Sequence, residues 1–361
     1  MARRAYLRPT AFVDAPFGLD GRVARLAGGL LWFSAVEIAE YEDGERRPPR
    51  LVPVEAMEEA LAALPAEAGA AWARLAEPRP PLVLGERMVR LDQPQVVGIL
   101  NVTPDSFSDG GRFERAEAAV AAGHAMAAAG AALVDVGGES TRPGAKPVWE
   151  GDELERVVPV VGGLAASGTA LSIDTRKATV MEAALAAGAG LVNDVSALTW
   201  DPRSAETVAR AGCPVVLMHH QGTPETMQHD PGYERPVLFE VYDWLEARIA
   251  AAVAAGIARD RIVVDPGFGF GKNVQHNLQL MNGLALLHGL GCPLMVGASR
   301  KRTIGALSNE APADRRLGGS LALALKAAGQ GAQLIRVHDV PETVQALRVW
   351  RGLRDVALTP G

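Results

Sequence analysis

Polar and charged residues stand at the ends of eight short apolar segments between residues 96 and 338. A carboxylate can accept two parallel hydrogen bonds, so it suits a planar heterocycle with ring N–H and amino donors. Arginine, lysine and histidine suit a phosphate or carboxylate group. The combination indicates a phosphorylated heteroaromatic substrate. The residues are Asn101, Asp135, Asp174, Asn193, Asp194, His219, His220, Asp265, Ser299, Arg300, Lys301, Arg336 and His338.

The apolar segments predict the β-strands that position these side chains. They begin at residues 96, 133, 171, 191, 215, 262, 294 and 334 and are almost continuously Val, Ile and Leu. Such runs are typical of parallel strands buried on both faces. Ala- and Leu-rich segments with helical periodicity, such as 177–189 and 341–353, separate them. The pattern predicts an α/β fold, a (β/α)₈ TIM barrel. An open doubly wound sheet is the alternative, although no G-x-G-x-x-G follows the first strand.

In a (β/α)₈ barrel, the carboxyl ends of all strands meet at one rim, where binding and catalytic groups collect. Any one polar residue there could instead cap a helix or satisfy a buried backbone group. Polar groups after every strand favour a site over that explanation. Glycine-rich turns at 106–111 and 265–272 would let the backbone approach a ligand or move over it.

Eight longer motifs contain the polar residues. They read GILNVTPDSFSDGG, VDVGGESTRPGA, SIDTRKATV, VNDVSA, LMHHQGTPETMQ, VVDPGFGFGK, GASRK and IRVHDV. In this order and spacing, from residue 96 to about 350, they resemble the dihydropteroate synthase family. The resemblance implies a transferase of folate biosynthesis. It would condense 6-hydroxymethyl-7,8-dihydropterin pyrophosphate with 4-aminobenzoate to give 7,8-dihydropteroate and pyrophosphate. His220, where the family often has Met, is a departure at a position with no catalytic assignment.

The resemblance also implies roles for individual residues. The pterin would be bound by Asp174, Asn193, Asp265 and Lys301. The pyrophosphate would be bound by Asn101, Arg336 and His338, and Asn101 would help to bind a Mg²⁺ that the pyrophosphate coordinates. The residues near the aminobenzoate would be Phe107, Thr141, Arg142, Pro143, Ser299 and Lys301. The catalytic group would comprise Asp109, Arg142, Lys301, Arg336 and His338.

The implied mechanism expels pyrophosphate before the aromatic amine attacks. An aromatic amine is a weak nucleophile, so forming a pterin-methyl cation first is chemically sensible. The loops 106–111 and 138–144 would exclude water from that cation. In this scheme Asp109 would lie near the cation, and Arg142 would engage the aminobenzoate carboxylate or the departing pyrophosphate.

Two other functions fit part of the pattern. A pterin-binding methyltransferase barrel would share Asp174 and Asn193 but would not need a pyrophosphate site or two long loops. The chain also has no D-x-H-x-x-G string typical of a cobalamin-binding segment. A non-catalytic ligand-binding relative would be expected to lose rim residues. An assay of pyrophosphate release distinguishes all three.

Two parts are predicted in the chain. Residues 1–90 are predicted to be an accessory module of unknown role, with mixed charge, an Ala-rich helical pattern from Val54 to Leu75 and a proline-rich link at 77–81. Residues 91–361 are predicted to be the pterin-binding TIM-barrel synthase domain. Cys213 and Cys292 each lie in a Gly-Cys-Pro triplet and are predicted to be buried free thiols.

The bulk composition limits the partners. The chain has 361 residues, 48% of them hydrophobic, which suffices for a large core. Its net charge of −6 argues against a nucleic-acid partner. No apolar stretch approaches the length of roughly 20 residues that spans a membrane, and no secretory leader is evident. We therefore expect a cytoplasmic enzyme with small-molecule substrates, and the family resemblance implies a homodimer.

Overall fold

The computed structural model describes residues 3–103, 112–140, 145, 147–223 and 226–359. It begins with a small antiparallel sheet. Strand β1 (Arg4–Val13) pairs with β3 (Trp32–Glu42), which also pairs with β2 (Ala24–Arg25), β4 (Glu45–Arg46) and β5 (Arg50–Pro53). Helices α1 (Met57–Ala62) and α2 (Ala66–Ala76) follow. The predicted helical segment is thus two helices, because Pro65 cannot continue α1 and instead precedes the first residue of α2.

The N-terminal sheet and its helices have a hydrophobic core of their own. Phe33, Val36 and Ile38 from β3 are fully buried with Met57 and Leu75 from the helices. A hairpin of β6 (Leu82–Leu84) and β7 (Arg87–Val89) comes next. The link before the hairpin is fixed to the barrel, since Arg79 is buried and donates to the carbonyl of His288 at 2.9 Å.

Eight parallel strands form the barrel. They are β8 (Gln95–Asn101), β9 (Leu133–Gly137), β10 (Leu171–Asp174), β11 (Leu191–Asp194), β12 (Val215–Met218), β13 (Ile262–Asp265), β14 (Met295–Val296) and β15 (Leu334–Val337). Each pairs with its neighbour in sequence, and β15 pairs with β8. A parallel bridge between Val264 and Leu294 joins β13 to the residue before β14 and completes the circle. All eight predicted strands, and the α/β barrel, are confirmed.

Helices surround the strands. They are α3 (Arg112–Ala128), α4 (Glu150–Ala166), α5 (Ala178–Ala186), α6 (Ser204–Ala211), α7 (Val237–Ala254), α8 (Val274–Gly283), α9 (Arg302–Leu307), α10 (Leu317–Ala328) and α11 (Val340–Ala357). The 3₁₀ turns are Val54–Ala56, Arg259–Arg261, Leu284–Leu290 and Ala313–Arg315. Across the described residues, none of these helices combines the length and hydropathy needed to cross a bilayer. Cys213 and Cys292 are free and buried, as predicted.

The β6–β7 hairpin closes the amino end of the barrel. Its apolar residues, with Leu91 after it, form one buried cluster with the first residues of the barrel strands. The hairpin contributes Leu82, Leu84 and Val89, and the barrel contributes Val97, Leu133, Leu191, Val216, Val263, Met295 and Leu334. The opposite, carboxyl end carries the polar side chains.

Candidate active site

Buried carboxylates and an amide occupy neighbouring strands at the carboxyl end. Asp174 at the end of β10 is in register with Asn193 on β11, and Asp265 ends β13. All three side chains are buried. Burial raises the pKa of Asp174, although the nearby Arg336 opposes that rise. Burial also raises the pKa of Asp265, with Lys301 opposing. The barrel therefore brings together the three residues predicted to bind a heterocycle.

Arg336 lies between two of the rim carboxylates. Its Nε donates to Asp135 Oδ2 at 2.6 Å and its Nη2 donates to Asp174 Oδ2 at 2.6 Å. Burial acts to lower the pKa of Arg336, but the two carboxylates raise it above its usual value. The guanidinium is thus paired inside the carboxylate cluster. Its predicted contact with pyrophosphate stays a prediction.

Asp135 is a central member of this cluster that had no assigned role. Besides Arg336, it accepts from Asn193 Nδ2 at 3.0 Å and from Ser172 Oγ at 2.6 Å. The side chain is almost completely buried. Its place in β9, two residues before that strand ends and in line with the polar residues of the other strands, was the signal that could have assigned it to the site.

Lys301 lies against the glycine-rich turn that follows β13. Its Nζ donates to the carbonyl of Phe268 and lies 4.5 Å from the centre of the Phe270 ring. Burial lowers the pKa of Lys301 to about 8, although Asp265 opposes the shift. The ammonium group of Lys301 and the carboxylate of Asp265 thus interact electrostatically, and their shared ligand stays a prediction.

The turn itself requires glycine. Gly267, Gly269 and Gly271 have φ values of 67°, 77° and 67°. A Cβ on Gly267 would stand 1.8 Å from the carbonyl oxygen of His219, so no other residue fits there without displacing the backbone. The turn therefore packs directly against the backbone that follows β12.

A buried lysine joins these same two segments. Lys272 Nζ lies 2.8 Å from His219 Nδ1 and donates to the carbonyl of Phe270 at 3.0 Å. Burial lowers the pKa of both Lys272 and His219 well below their usual values. No role was predicted for either residue. Their contact connects the residue that follows β12 to the glycine-rich turn.

His338 and Ser299 contact each other at the last two strands. The Ser299 Oγ accepts from the His338 backbone N–H at 3.2 Å and lies 3.1 Å from His338 Nδ1. This hydrogen bond orients the imidazole beside the carboxyl end of β15. The predicted contacts of Ser299 with aminobenzoate and of His338 with pyrophosphate stay predictions.

Asn101 ends β8, opposite Gly137, and its side chain is half-buried. In the described ranges no group of three or more His, Cys, Asp or Glu residues could hold a metal ion. Mg²⁺ commonly takes one or two protein oxygens and completes its shell with substrate phosphates and water. A single amide oxygen at the rim therefore fits a Mg²⁺ carried mainly by the substrate, and Asn101 as its protein ligand stays a prediction.

Five predicted site residues lie outside the described residues: Phe107, Asp109, Thr141, Arg142 and Pro143.

The buried Glu139 stands just before the last three of them. It accepts from the Val148 backbone N–H at 2.8 Å and pairs with Arg176 at 3.1 Å and Lys177 at 3.3 Å. Burial acts to raise the pKa of Glu139, but these partners lower it below its usual value. Glu139 therefore joins residue 148 to the segment after β10, a link not predicted from sequence.

The barrel is closed, and its rim holds buried carboxylates, an amide and cations. This combination is typical of an enzyme that binds a small heterocycle and an anion. The profile of the family described as pterin binding enzyme matches residues 97–338. Dihydropteroate synthase of Escherichia coli strain K12 is 50% identical over 260 residues, which cover 72% of this chain and 91% of the relative.

Solved structures agree with the sequence comparison. Xanthomonas albilineans dihydropteroate synthase with 4-aminobenzoic acid is 48% identical, with a TM-score of 0.72, over 78% of this chain and 100% of that one. The Xanthomonas albilineans enzyme in complex with 7,8-dihydropteroate is 47% identical, with a TM-score of 0.70 and the same coverage. The chain belongs to the dihydropteroate synthase family and is a transferase. The N-terminal sheet, α1 and α2 lie outside the range that the family profile matches.

Proposed function

We propose that the rim joins 6-hydroxymethyl-7,8-dihydropterin pyrophosphate to 4-aminobenzoate, giving 7,8-dihydropteroate and pyrophosphate. The observation that carries the assignment is the convergence of Asp174, Asn193 and Asp265 with Lys301 and Arg336 at one end of the barrel. The relatives that bind 4-aminobenzoic acid and 7,8-dihydropteroate support this substrate and this product. Their identity favours the synthase over the methyltransferase alternative.

The pterin is held by the buried acceptors. Its ring N–H and amino groups donate to carboxylates at the ends of β10 and β13, and Asn193 supplies an amide. Asp174 also accepts from Arg336 Nη2 at 2.6 Å. A carboxylate has lone pairs for several donors, so Asp174 can accept from the pterin and from Arg336 together. Arg336 therefore keeps its place between the pterin site and the leaving pyrophosphate.

Arg336 and His338 stabilise the leaving pyrophosphate. Negative charge grows on the leaving oxygen as the C–O bond breaks, so donors aimed there bind the transition state more strongly than the ground state. One such preorganised donor contributes about 3–4 kcal/mol. A Mg²⁺ bound by Asn101 and the pyrophosphate would further neutralise that charge. Lys301 keeps the pterin in place while the bond breaks.

The family resemblance implies that residues of the two loops after β8 and β9 would receive the aminobenzoate. Arg142 would engage its carboxylate or the departing pyrophosphate, and Asp109 would act on the developing cation. Phe107, Thr141, Pro143 and Ser299 would contact the ring. These assignments extend the family resemblance to this chain. Water must be excluded from the cation until the amine attacks.

Pyrophosphate release tests the proposal. The purified full chain is supplied with the pterin pyrophosphate, with and without 4-aminobenzoate and with and without Mg²⁺. We expect 7,8-dihydropteroate and pyrophosphate in equal amounts when both substrates and Mg²⁺ are present. Pyrophosphate formed at the same rate without any pteroate product would identify a hydrolase instead, and no turnover would identify a binding protein.

We also propose a two-part division, with residues 1–90 as the accessory module and 91–361 as the synthase domain. The hairpin within the first part packs on the barrel base, so a shortened chain should keep residues 82–89 to protect the barrel. A cytoplasmic location remains a prediction.

A second copy of the chain is proposed to cover one face of α11. Val349, Leu353 and Val356 are 62%, 70% and 76% exposed. Their spacing places them along one side of the helix. The family resemblance implies a homodimer, and these residues supply an apolar surface for it. Sedimentation should show a dimer that Leu353→Asp converts to monomer, whereas a monomeric parent chain would contradict the proposal.

A further inference from the structure

Strand β1 contacts α7 through Arg4, which pairs with Asp243 and Glu246 at 2.8 and 2.6 Å, and through the buried Tyr6. Tyr6 donates from its hydroxyl to Asp243 Oδ2 at 2.8 Å and accepts from Arg235 Nη1 at 3.0 Å. The ring of Tyr6 packs against Phe239 at 4.5 Å and edge-on to Tyr242 at 5.7 Å. Burial, aided by Asp243, raises the pKa of Tyr6 to about 12, so the hydroxyl remains a donor at neutral pH. This strand lies outside the family-matched residues 97–338.

Arg235 lies two residues before α7, in the segment 226–236 that leads into that helix. That segment supports the glycine-rich turn by two hydrogen bonds. Gln228 Nε2 donates to the carbonyl of Gly269 at 2.5 Å, and Tyr233 Oη donates to the carbonyl of Gly271 at 2.9 Å. The three glycines of the turn have no side chains with which to hold its conformation, so its position depends on such external contacts.

The supported turn is the one that Lys301 contacts. Lys301 donates to the carbonyl of Phe268, and its Cδ would lie 3.3 Å from a Cβ placed on Gly269. A displacement of the turn would therefore displace the ammonium group that faces Asp265. Side-chain contacts thus lead from β1 to Arg235, the chain joins Arg235 to Tyr233 two residues earlier, and Tyr233 contacts the turn that Lys301 binds.

Arg235 Nη2 also donates to Asp243 Oδ2 at 2.8 Å, so Tyr6 and Asp243 bind the guanidinium together. We propose that Tyr6 is a positioning residue for pterin binding, which with Asp243 holds Arg235 and through it the segment that supports the turn beneath Lys301. The inference rests on the proposed function. The N-terminal sheet thereby adjusts a site to which it contributes no side chain. When the turn samples other positions, only a fraction of the molecules can bind, and the apparent dissociation constant rises by the inverse of that fraction.

Tyr6→Phe tests the proposal in the full chain. It keeps the ring against Phe239 and Tyr242 and removes only the hydroxyl. We expect the Kd for 7,8-dihydropteroate, measured by calorimetry, to rise about 3–10-fold, with kcat at saturating substrates within about twofold of the parent. Amide hydrogen exchange across 267–271 should become faster, because the turn loses its support.

Arg354→Met is the matched control. Arg354 on α11 also ties the N-terminal sheet to the barrel, by donating to Asp14 Oδ1 at 3.0 Å and to the carbonyls of Val13 and Leu30 at 3.3 and 3.0 Å. None of these contacts leads to the glycine-rich turn. The control should lower Tm yet leave the Kd and the exchange at 267–271 unchanged.

Two outcomes overturn the inference. The first is an unchanged Kd and an unchanged exchange rate in Tyr6→Phe. The second is an equal change in Tyr6→Phe and Arg354→Met, which would reflect general loosening of the N-terminal sheet. The turnover of the parent chain tests the proposed function independently of the two variants. A parent chain without turnover would refute the proposed function, whereas the exchange rates of the two variants would still support or refute the positioning role.

Discussion

The two ends of the barrel differ in what they bury. The amino end is closed by an apolar cluster in which the β6–β7 hairpin packs on the strand beginnings. The carboxyl end buries Asp135 and Asp174 in direct contact with the partly buried Arg336. Burying apolar surface favours folding, whereas removing charges from water costs free energy that their pairing only partly recovers. The apolar base therefore stabilises the fold, whereas the rim retains buried charged groups because they bind a ligand.

Removal of the rim cation should have the largest effect. Arg336→Met leaves two buried carboxylates without their partner and removes a donor from the leaving pyrophosphate. We expect kcat to fall about 100–1,000-fold, near 3–4 kcal/mol, measured by pyrophosphate release. The control is Arg351→Met, which removes an exposed i,i+4 pair with Asp355 and should leave kcat unchanged. A loss below tenfold would mean that Arg336 is a structural residue of the rim.

Truncation at the base should affect stability and spare catalysis. Leu84 is 5% exposed and belongs to the basal cluster, so Leu84→Ala should lower the free energy of unfolding by about 3 kcal/mol. On the same strand Val83 is 58% exposed, and Val83→Ala should cost about 0.5 kcal/mol or less. Urea unfolding measures both values. Equal losses, or a large fall in kcat for Leu84→Ala at a temperature where it is folded, would erase the distinction between the two ends.

Loss of one rim carboxylate should weaken pterin binding. Asp174→Ala removes a charge-assisted acceptor, so we expect the affinity for 7,8-dihydropteroate to fall about 10–100-fold, or roughly 1.5–3 kcal/mol. Calorimetry measures the change. Asp174→Asn, which keeps the shape and one acceptor oxygen, should give a smaller loss. An unchanged affinity in Asp174→Ala would remove this residue from the pterin site.

The pH dependence of the rim should show the smallest effect. Burial lowers the pKa of Lys301 to about 8, so its ammonium form is present at lower pH and is lost as pH rises through that value. The kcat/KM for the pterin substrate should fall roughly fourfold between about pH 7 and 8.5. In Lys301→Arg the guanidinium stays charged, so any residual activity should lack this alkaline decline. If the decline persists in the variant, another group is responsible.

Much of the barrel was predictable because each strand is buried on both faces. That environment demands continuous Val, Ile and Leu, and such runs mark the eight strands in the sequence. The N-terminal sheet was not predicted. Its strands β1 and β3 carry charged residues that pair across the sheet, such as Arg8 with Glu37, and Arg3 just before β1 pairs with Glu40 on β3. Those charges obscure the apolar pattern until the antiparallel register of the two strands is known.

By itself, the sequence determined the barrel, the polar rim and the family resemblance. These depend on residue types at strand ends, which can be recognised along the chain. Only the tertiary structure decided which rim groups contact one another. Asp135 and Arg336 are separated by 201 positions yet share a hydrogen bond. Tyr6 and Arg235 are 229 positions apart. Such pairings arise because barrel closure and sheet docking bring distant segments together, and no local pattern encodes the distance between them.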